Sequence, residues 1–382
     1  MADQINSNYD EEEYSLMACS LPKDAMVQIL LRLHVKSLLR FRSVCKSWYN
    51  FLKSPHFIKL HLTHQISRPA SVLIVYNRDN YGCFPDFSLL HLHPIYFTNP
   101  LPLLFSIEAK DYANFEFCYN GLICLMKDIY TSPEVILWNP ATQKYKCINI
   151  PSECSRFTYL KLGYVQQSND YKLLKVPFEP RSSDEASKMA WVYTLSSGSW
   201  KTVPFTILSL TVAWGPQISL DGCVYWLATS AVECIICFDL IKDEFKLVDV
   251  PDDRGFEREY VRRRLIVLRG SLAMMVSVED GSRDTEVWVL MNKSGIKQYS
   301  WTKKFIIEPF SKEAIPLGIW NDDKLLVVVL QTRALKQVYT YDLVTKKIDY
   351  FHVPKEEEFA SFMSVRGRYF ESLELEDGYG KY

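Results

Sequence analysis

VILWNPATQKYKCINIP, residues 135–151, decides how most of this chain reads. An apolar run ends at Trp138, a polar Asn-Pro-Ala-Thr turn follows, and a second run of alternating residues returns as far as Pro151. Alternation with a period of two marks a strand with one buried face. Asn-Pro suits the turn because proline fixes φ while the asparagine side chain bonds the backbone beyond it. The unit recurs loosely as WVYTLSSGSWKTVPF (191–205), IICFDLIKDEFKLVDVP (235–251), VWVLMNKSGIKQYSWTKKF (287–305) and VYTYDLVTKKIDYFHVP (338–354). Its anchors Trp138, Tyr193, Phe238, Trp288 and Tyr341 stand about 45 to 55 residues apart. Before each unit lies a further strand pair, often with a glycine or an Asn/Asp turn: YNGLICLM, SNDYKLLKV, LDGCVYWLA, RGSLAMMVSV and NDDKLLVVVL. Four strands per period of roughly 50 residues is the arithmetic of propeller blades.

The five units occupy about residues 117–354. Upstream, Ala70 to Ile107 carries VLIVY and FSLLHLH, strands for a sixth blade, and SFMSVRGRYFESLEL near the C-terminus is placed to return and close it. Closure is needed because an open array leaves strand edges bare. The expected fold is mostly β with a small N-terminal α unit, the β part a propeller of about six blades. A two-sheet β-sandwich is the alternative, which the regular spacing disfavours.

The α unit is LPKDAMVQILLRLHVKSLLRFRSVCKSWYNFLKSP, Leu21 to Pro55. Met26, Ile29, Leu30 and Leu33 recur at i, i+3, i+4 and i+7, one face of a helix. Ser20 is placed to cap it, with Pro22 and Asp24 in the first turn. Val35, Leu38, Phe41, Val44, Trp48 and Leu52 follow at mixed steps of three and four. Three short helices of this size bury too little to stand alone. Apolar residues also spill onto other faces at Leu21, Leu31, Leu39 and Phe51, so the unit calls for a partner. The stretch holds seven Lys/Arg and one acidic residue, Asp24, which suits an acidic partner and equally suits solvated helix faces.

Composition bounds the rest. With 382 residues, 48% hydrophobic and 23% charged, the chain is globular in type and long enough for a large second domain. The expected division is a disordered acidic tail (1–19), a helical domain (20–64), a linker (65–70) and a β domain (71–382). No apolar run reaches membrane-spanning length, and the polar start MADQINSNYDEEEYS is unlike a secretory signal. Net charge of -1 with no second basic stripe argues against nucleic acid. Ten cysteines without a framework suit a reducing compartment, cytoplasmic or nuclear.

No motif for catalysis stands out, and no cofactor or metal is expected. Cys234 and Cys237 form a CxxC pair inside a strand, where residues three apart face opposite ways. His91 with His93 and His61 with His64 share faces but lack a third ligand. Asp252-Asp253 and Asp322-Asp323 sit in turn-like stretches and read as solvated charge. The loop PDDRGFEREYVRRR gathers Arg254, Arg258, Arg262, Arg263 and Arg264. It reads either as a solvated connector or as a recognition loop for an acidic or aromatic target. FEPRSSDEASKMA, Phe178 to Ala190, is a comparable candidate.

The helical stretch resembles the F-box. The pattern is met at Leu21, Pro22, Asp24, Ile29, Leu30, Arg32, Leu33, Lys36, Ser37, Leu38, Arg40, Val44, Cys45, Lys46 and Trp48, and the closing Ser-Pro-x-Phe at Ser54, Pro55 and Phe57. It departs at His34, where the family has proline, and at Gln28, where it has an acidic residue; loss of the proline is expected to loosen a turn. The resemblance implies docking to a Skp-type adaptor, and through it to a cullin and a RING protein. The implied contacts are Leu21, Pro22, Ile29, Leu30, Leu33, Val35 and Leu38, with Val44 and Trp48 in the core of the unit.

Downstream, LWNPATQKYKCINIP, FDLIKDEFKLVDVP and FESLEL resemble the F-box-associated domain of plant F-box proteins, a kelch-like relative without the paired kelch glycines. S-locus F-box proteins of flowering plants share this layout. Together the resemblances imply a non-catalytic substrate receptor of an SCF-type cullin-RING ubiquitin ligase. Its propeller would hold an unidentified target protein, an S-locus ribonuclease being one candidate. An F-box scaffold without ligase activity and a ligand- or carbohydrate-binding propeller stay open as alternatives.

Overall fold

The structure, a computed structural model, describes residues 22–68, 72–78, 85–92, 95–97, 114–127, 134–151, 158–177, 188–205, 207, 211–212, 217–229, 233–252, 261–278, 284–292, 299–308, 310–311, 313–321, 323–331, 334–351 and 364–375. Four helices come first: α1 (Lys23–Leu30), α2 (Val35–Phe41), α3 (Lys46–Lys53) and α4 (Pro55–Ser67). There are four rather than the expected three because Ser54 restarts the chain. Its hydroxyl accepts from the Phe57 N–H at 3.2 Å, and Pro55 occupies the first turn. The last helix runs through the first residues of the expected linker to Ser67. Leu30, Leu31, Val35, Leu38, Leu52 and Phe57 form the core of this unit. Trp48 packs at its edge, its ring 5.3 Å from Phe41. Val44 is not in that core. It lies in the turn after α2 with 66% of its surface exposed, because the helix has ended and the backbone no longer aims it inward.

The rest is a β-propeller of antiparallel sheets. Five sheets use consecutive strands. One holds β4 (Asn114–Tyr119), β5 (Leu122–Lys127), β6 (Glu134–Asn139) and β7 (Lys144–Asn149). The next holds β8 (Thr158–Val165), β9 (Asp170–Pro177), β10 (Met189–Thr194) and β11 (Ser199–Pro204). In the third, the first strand is split into β12 (Thr211–Val212) and β13 (Ile218–Leu220), followed by β14 (Cys223–Thr229), β15 (Glu233–Asp239) and β16 (Glu244–Asp249). Two more run through β17 (Val261–Leu268), β18 (Ser271–Val278), β19 (Thr285–Asn292) and β20 (Tyr299–Ile307), then β21 (Ala314–Asn321), β22 (Lys324–Gln331), β23 (Ala334–Asp342) and β24 (Ile348–Phe351). The remaining sheet is composite: β1 (Val72–Arg78), β2 (Pro85–Leu92) and β3 (Ile95–Phe97) are joined by β25 (Ser364–Tyr369) from the far end of the chain. The C-terminal segment therefore closes the ring as its alternation suggests.

Burial explains the strand patterns. β6 is buried at five of its six positions, since both faces of a middle strand meet neighbouring blades. The outermost strands β7, β11 and β16 each bury one residue, Ile148, Val203 and Val248. Adjacent blades are also hydrogen-bonded. The Trp200 indole donates to the Asn149 carbonyl at 2.9 Å, and Trp301 to the Asp249 carbonyl at 2.7 Å.

Because each strand reverses the last, the first–second and third–fourth turns of every blade leave at one end. The first–second turns Asn120-Gly121, Asp221-Gly222 and Arg269-Gly270 have positive φ at both residues, the hairpin geometry that matches strand twist. The third–fourth turns share another device. Asn139 Oδ1 accepts from Ala141 and Thr142 N–H, Asp239 Oδ1 from Ile241 and Lys242, and Asp342 Oδ1 from Val344 and Thr345. Asparagine replaces aspartate at position 139 for a physical reason. Its amide also donates to the carbonyls of Ser372 and Glu374, each at 2.9 Å. Asn139→Asp keeps the turn but loses those donors, so it should cost about 3 kcal/mol, whereas Asp239→Asn should cost under about 1 kcal/mol. Thermal unfolding of the two variants compares them directly, and equal shifts would exclude the donor role.

His61 is fully buried in the helical unit, its ring beside Gln65 and Phe57. Burial, only partly offset by a backbone hydrogen bond at Leu33, lowers its pKa from 6.5 to about 4. Between those values the unfolded chain binds a proton that the folded unit refuses, so stability falls as pH drops through that window. The full loss is about 3 kcal/mol. Amide exchange of α4, corrected for intrinsic rate, should accelerate from pH 7 to pH 5, and His61→Leu should flatten that dependence.

Candidate functional site

The expected adaptor residues divide by location. Leu30, Val35 and Leu38 are at most 2% exposed, because they face Leu52 and Phe57 in the unit's own core. Leu33 is half-buried, Pro22 is exposed, and Leu21 lies outside the described residues. The large apolar residues of the unit that stay on the surface are Ile29 at 49%, Val44 at 66% and Tyr49 at 45%, with Ile66 at 47% near the end of α4. Exposed Lys23, Arg32, Lys36, Arg40 and Lys46 belong to the same unit. Periodicity showed which residues are apolar. It did not show that the unit's core would take Leu30, Val35 and Leu38, since that depends on where α3 and α4 turn back.

His34 stands where proline was expected. Its φ of -63° is a proline value, and the next residue opens α2. His34 makes no capping bond and the first turn of α2 has no acidic residue. The cap comes instead from Glu371, whose carboxylate accepts from the Val35 N–H at 2.7 Å and stands 3.5 Å from His34 Nδ1. Lys59 of α4 donates to the Gln166 carbonyl in the turn after β8 at 3.3 Å. The helical unit thus sits at the tight-turn end of the propeller. The second strand of each blade ends, and the third begins, at the opposite end.

The arginine cluster is divided as well. Arg254 and Arg258 lie outside the described residues. Arg262, Arg263 and Arg264 belong to β17, not to a loop, because they pair in register with Ser277, Val276 and Met275. Arg263 is ion-paired with Glu233, and Arg262 is exposed. Arg264 is half-buried, and desolvation of its guanidinium lowers the pKa to about 10. Of the second candidate loop, 178–187 lie outside the described residues and Met189 opens β10. Asp323 is not solvated charge: Arg269 donates to it through Nε at 2.8 Å and again through a terminal nitrogen.

Cys234 and Cys237 lie in β15, as their alternation requires, and both are free. The thiol that Cys237 does meet is Cys223, on the neighbouring β14. A hydrogen bond from Cys237 brings the Cys223 thiol down to about 7, against the effect of burial, and raises that of Cys237. Motif spacing cannot find this pair. Only the hairpin register, with Tyr225 opposite Cys237, brings the two together. Among the described residues no group of three or more His, Cys, Asp and Glu is placed to hold a metal ion.

Comparison with known proteins agrees with this architecture. The F-box domain matches residues 19–60, and the F-box associated beta propeller domain matches residues 98–374. An F-box/kelch-repeat protein of Arabidopsis thaliana is 28% identical over 340 residues, covering 84% of this chain and 87% of the relative. An F-box protein of the same plant is 27% identical over 308 residues, covering 76% and 71%. Among solved structures, an oligogalacturonate lyase in complex with manganese aligns with a TM-score of 0.45 at 12% identity, over 78% of this chain and 77% of that one. A likeness at that level says nothing about activity. The two matched domains, in this order and over these residues, place the chain in the family of plant F-box proteins that carry an F-box-associated β-propeller.

Proposed function

We propose that the chain is the substrate receptor of an SCF-type cullin-RING ubiquitin ligase. The helical unit docks a Skp-type adaptor, and the propeller holds a target protein at the end away from that unit. The observation that carries this reading is that Ile29, Val44 and Tyr49 stay exposed on a folded F-box whose own core is filled by Leu30, Leu31, Val35, Leu38, Leu52 and Phe57. An adaptor with apolar pockets and acidic charge would cover it and reach it quickly. The chain supplies no chemistry in this account. It holds a target lysine beside a conjugating enzyme, so its contribution is proximity and orientation. The target is a protein of unassigned identity, an S-locus ribonuclease among the candidates. A cytoplasmic or nuclear site of action belongs to the same proposal, supported by ten cysteines scattered through the sequence without a disulfide framework.

Calorimetric titration of the full chain with a plant Skp-type adaptor tests the reading. Ile29→Asp combined with Val44→Asp should weaken binding by about tenfold or more while leaving the melting temperature unchanged. Leu30→Ala should instead lower the stability of the helical unit by about 2 to 5 kcal/mol. Wild-type protein that is folded and fails to bind the adaptor would remove the receptor reading.

A further inference from the structure

We propose that Glu371 and Leu373, in the tail beyond β25, are positioning residues that clasp the helical unit to the propeller and make the two one rigid body. The consequence for ubiquitin transfer rests on the receptor reading; the clasp itself does not.

The tail from Phe370 to Leu375 is gripped from both sides. On the propeller side, the Asn139 amide holds the Ser372 and Glu374 carbonyls. Gly121, at φ +77°, approaches so closely that an added Cβ would stand 2.6 Å from the Phe370 carbonyl oxygen. On the helical side, Leu373 is 1% exposed inside the cluster of Leu30, Val35, Leu38, Leu52 and Phe57. Two residues earlier, Glu371 caps α2, which has no cap of its own.

Leu373 is therefore a core residue of a domain that lies more than 300 residues earlier in the chain. Turning the helical unit away from the propeller would empty its site and strip the cap from α2, and close-packed interiors resist such cavities. Direct sequence connection runs only through residues 69–71, between α4 and β1. The clasp adds a second, noncovalent connection, and two connections fix an orientation that one leaves free. In a receptor this sets where a target lysine stands relative to the conjugating enzyme.

The test uses the full chain with Glu371→Ala, Glu371→Gln and Leu373→Ala. Glu371 is partly exposed, so its removal leaves the core intact. Glu371→Ala should speed amide exchange at Val35 by about tenfold or more, and Glu371→Gln, which keeps an acceptor, should recover most of the protection. Single-molecule energy transfer between dyes at Lys46 and Lys242 should give one narrow distance in wild type and a broadened one in Leu373→Ala. Unchanged Val35 exchange in Glu371→Ala, or an unchanged distance distribution in a folded Leu373→Ala, overturns the clasp. In a reconstituted ligase, self-ubiquitination should modify few propeller lysines in wild type and a wider set in Leu373→Ala at equal adaptor affinity. If wild type transfers no ubiquitin, the receptor reading falls, and the exchange and distance measurements still decide the clasp.

Discussion

No blade of this propeller can bury its faces alone, and every other feature follows from that constraint. The shared apolar clusters lie between blades: Leu174 and Val192 of one with Val224 and Trp226 of the next, Ile266 and Ala273 with Leu325 and Val327. Contact can be close enough to exclude a methyl group. At Gly163 a Cβ would lie 2.4 Å from Leu240 Cδ1 of the adjoining blade. Such an array is stable only as a ring, and a ring needs a seam. Here the seam pairs β1 with β25, which forces the C-terminus to the place where the helical unit enters the propeller. The tail then lies between the two domains because closure leaves it nowhere else.

Much of this fold was legible because propeller blades write their arithmetic into the chain. Period-two alternation, an aromatic anchor and an Asx turn repeat at similar intervals, and each is a local requirement. Tyr119-Asn-Gly-Leu122 reads as a tight hairpin without any knowledge of the neighbouring blade. The β25 seam was legible for the same reason, as alternation in search of a partner. What was not legible depended on long-range packing. Arg262 to Arg264 look like loop residues because their charge hides the strand, and only pairing with β18 reveals it. Val44 looks like a core residue because its spacing fits, and only the end of α2 turns it outward.

The helical unit shows the same division. The motif identified the unit, while the helix-to-helix angles decided which apolar residues stayed exposed. Leu30, Val35 and Leu38 match the pattern as well as Ile29 does, yet only Ile29 is left outside. The tail contacts were invisible for a simpler reason. Glu371 and Leu373 lie at the opposite end of the chain from Val35 and Leu38, and no local rule joins them.

The seam has a consequence for how the protein is made. Synthesis runs from the N-terminus, so β1, paired early with β2, leaves the ribosome nearly 300 residues before β25, its partner on the other side. During that interval the ring is open, one side of β1 lacks its partner and the helical unit lacks a core leucine and a cap. Contacts between the two ends of a chain form slowly, and exposed edges invite chaperones and proteases meanwhile. A product that stops short of β25 carries the whole F-box motif and five uninterrupted blades, yet it can complete neither domain. Complete translation is thus built into the architecture as a condition for a closed ring and a filled helical core.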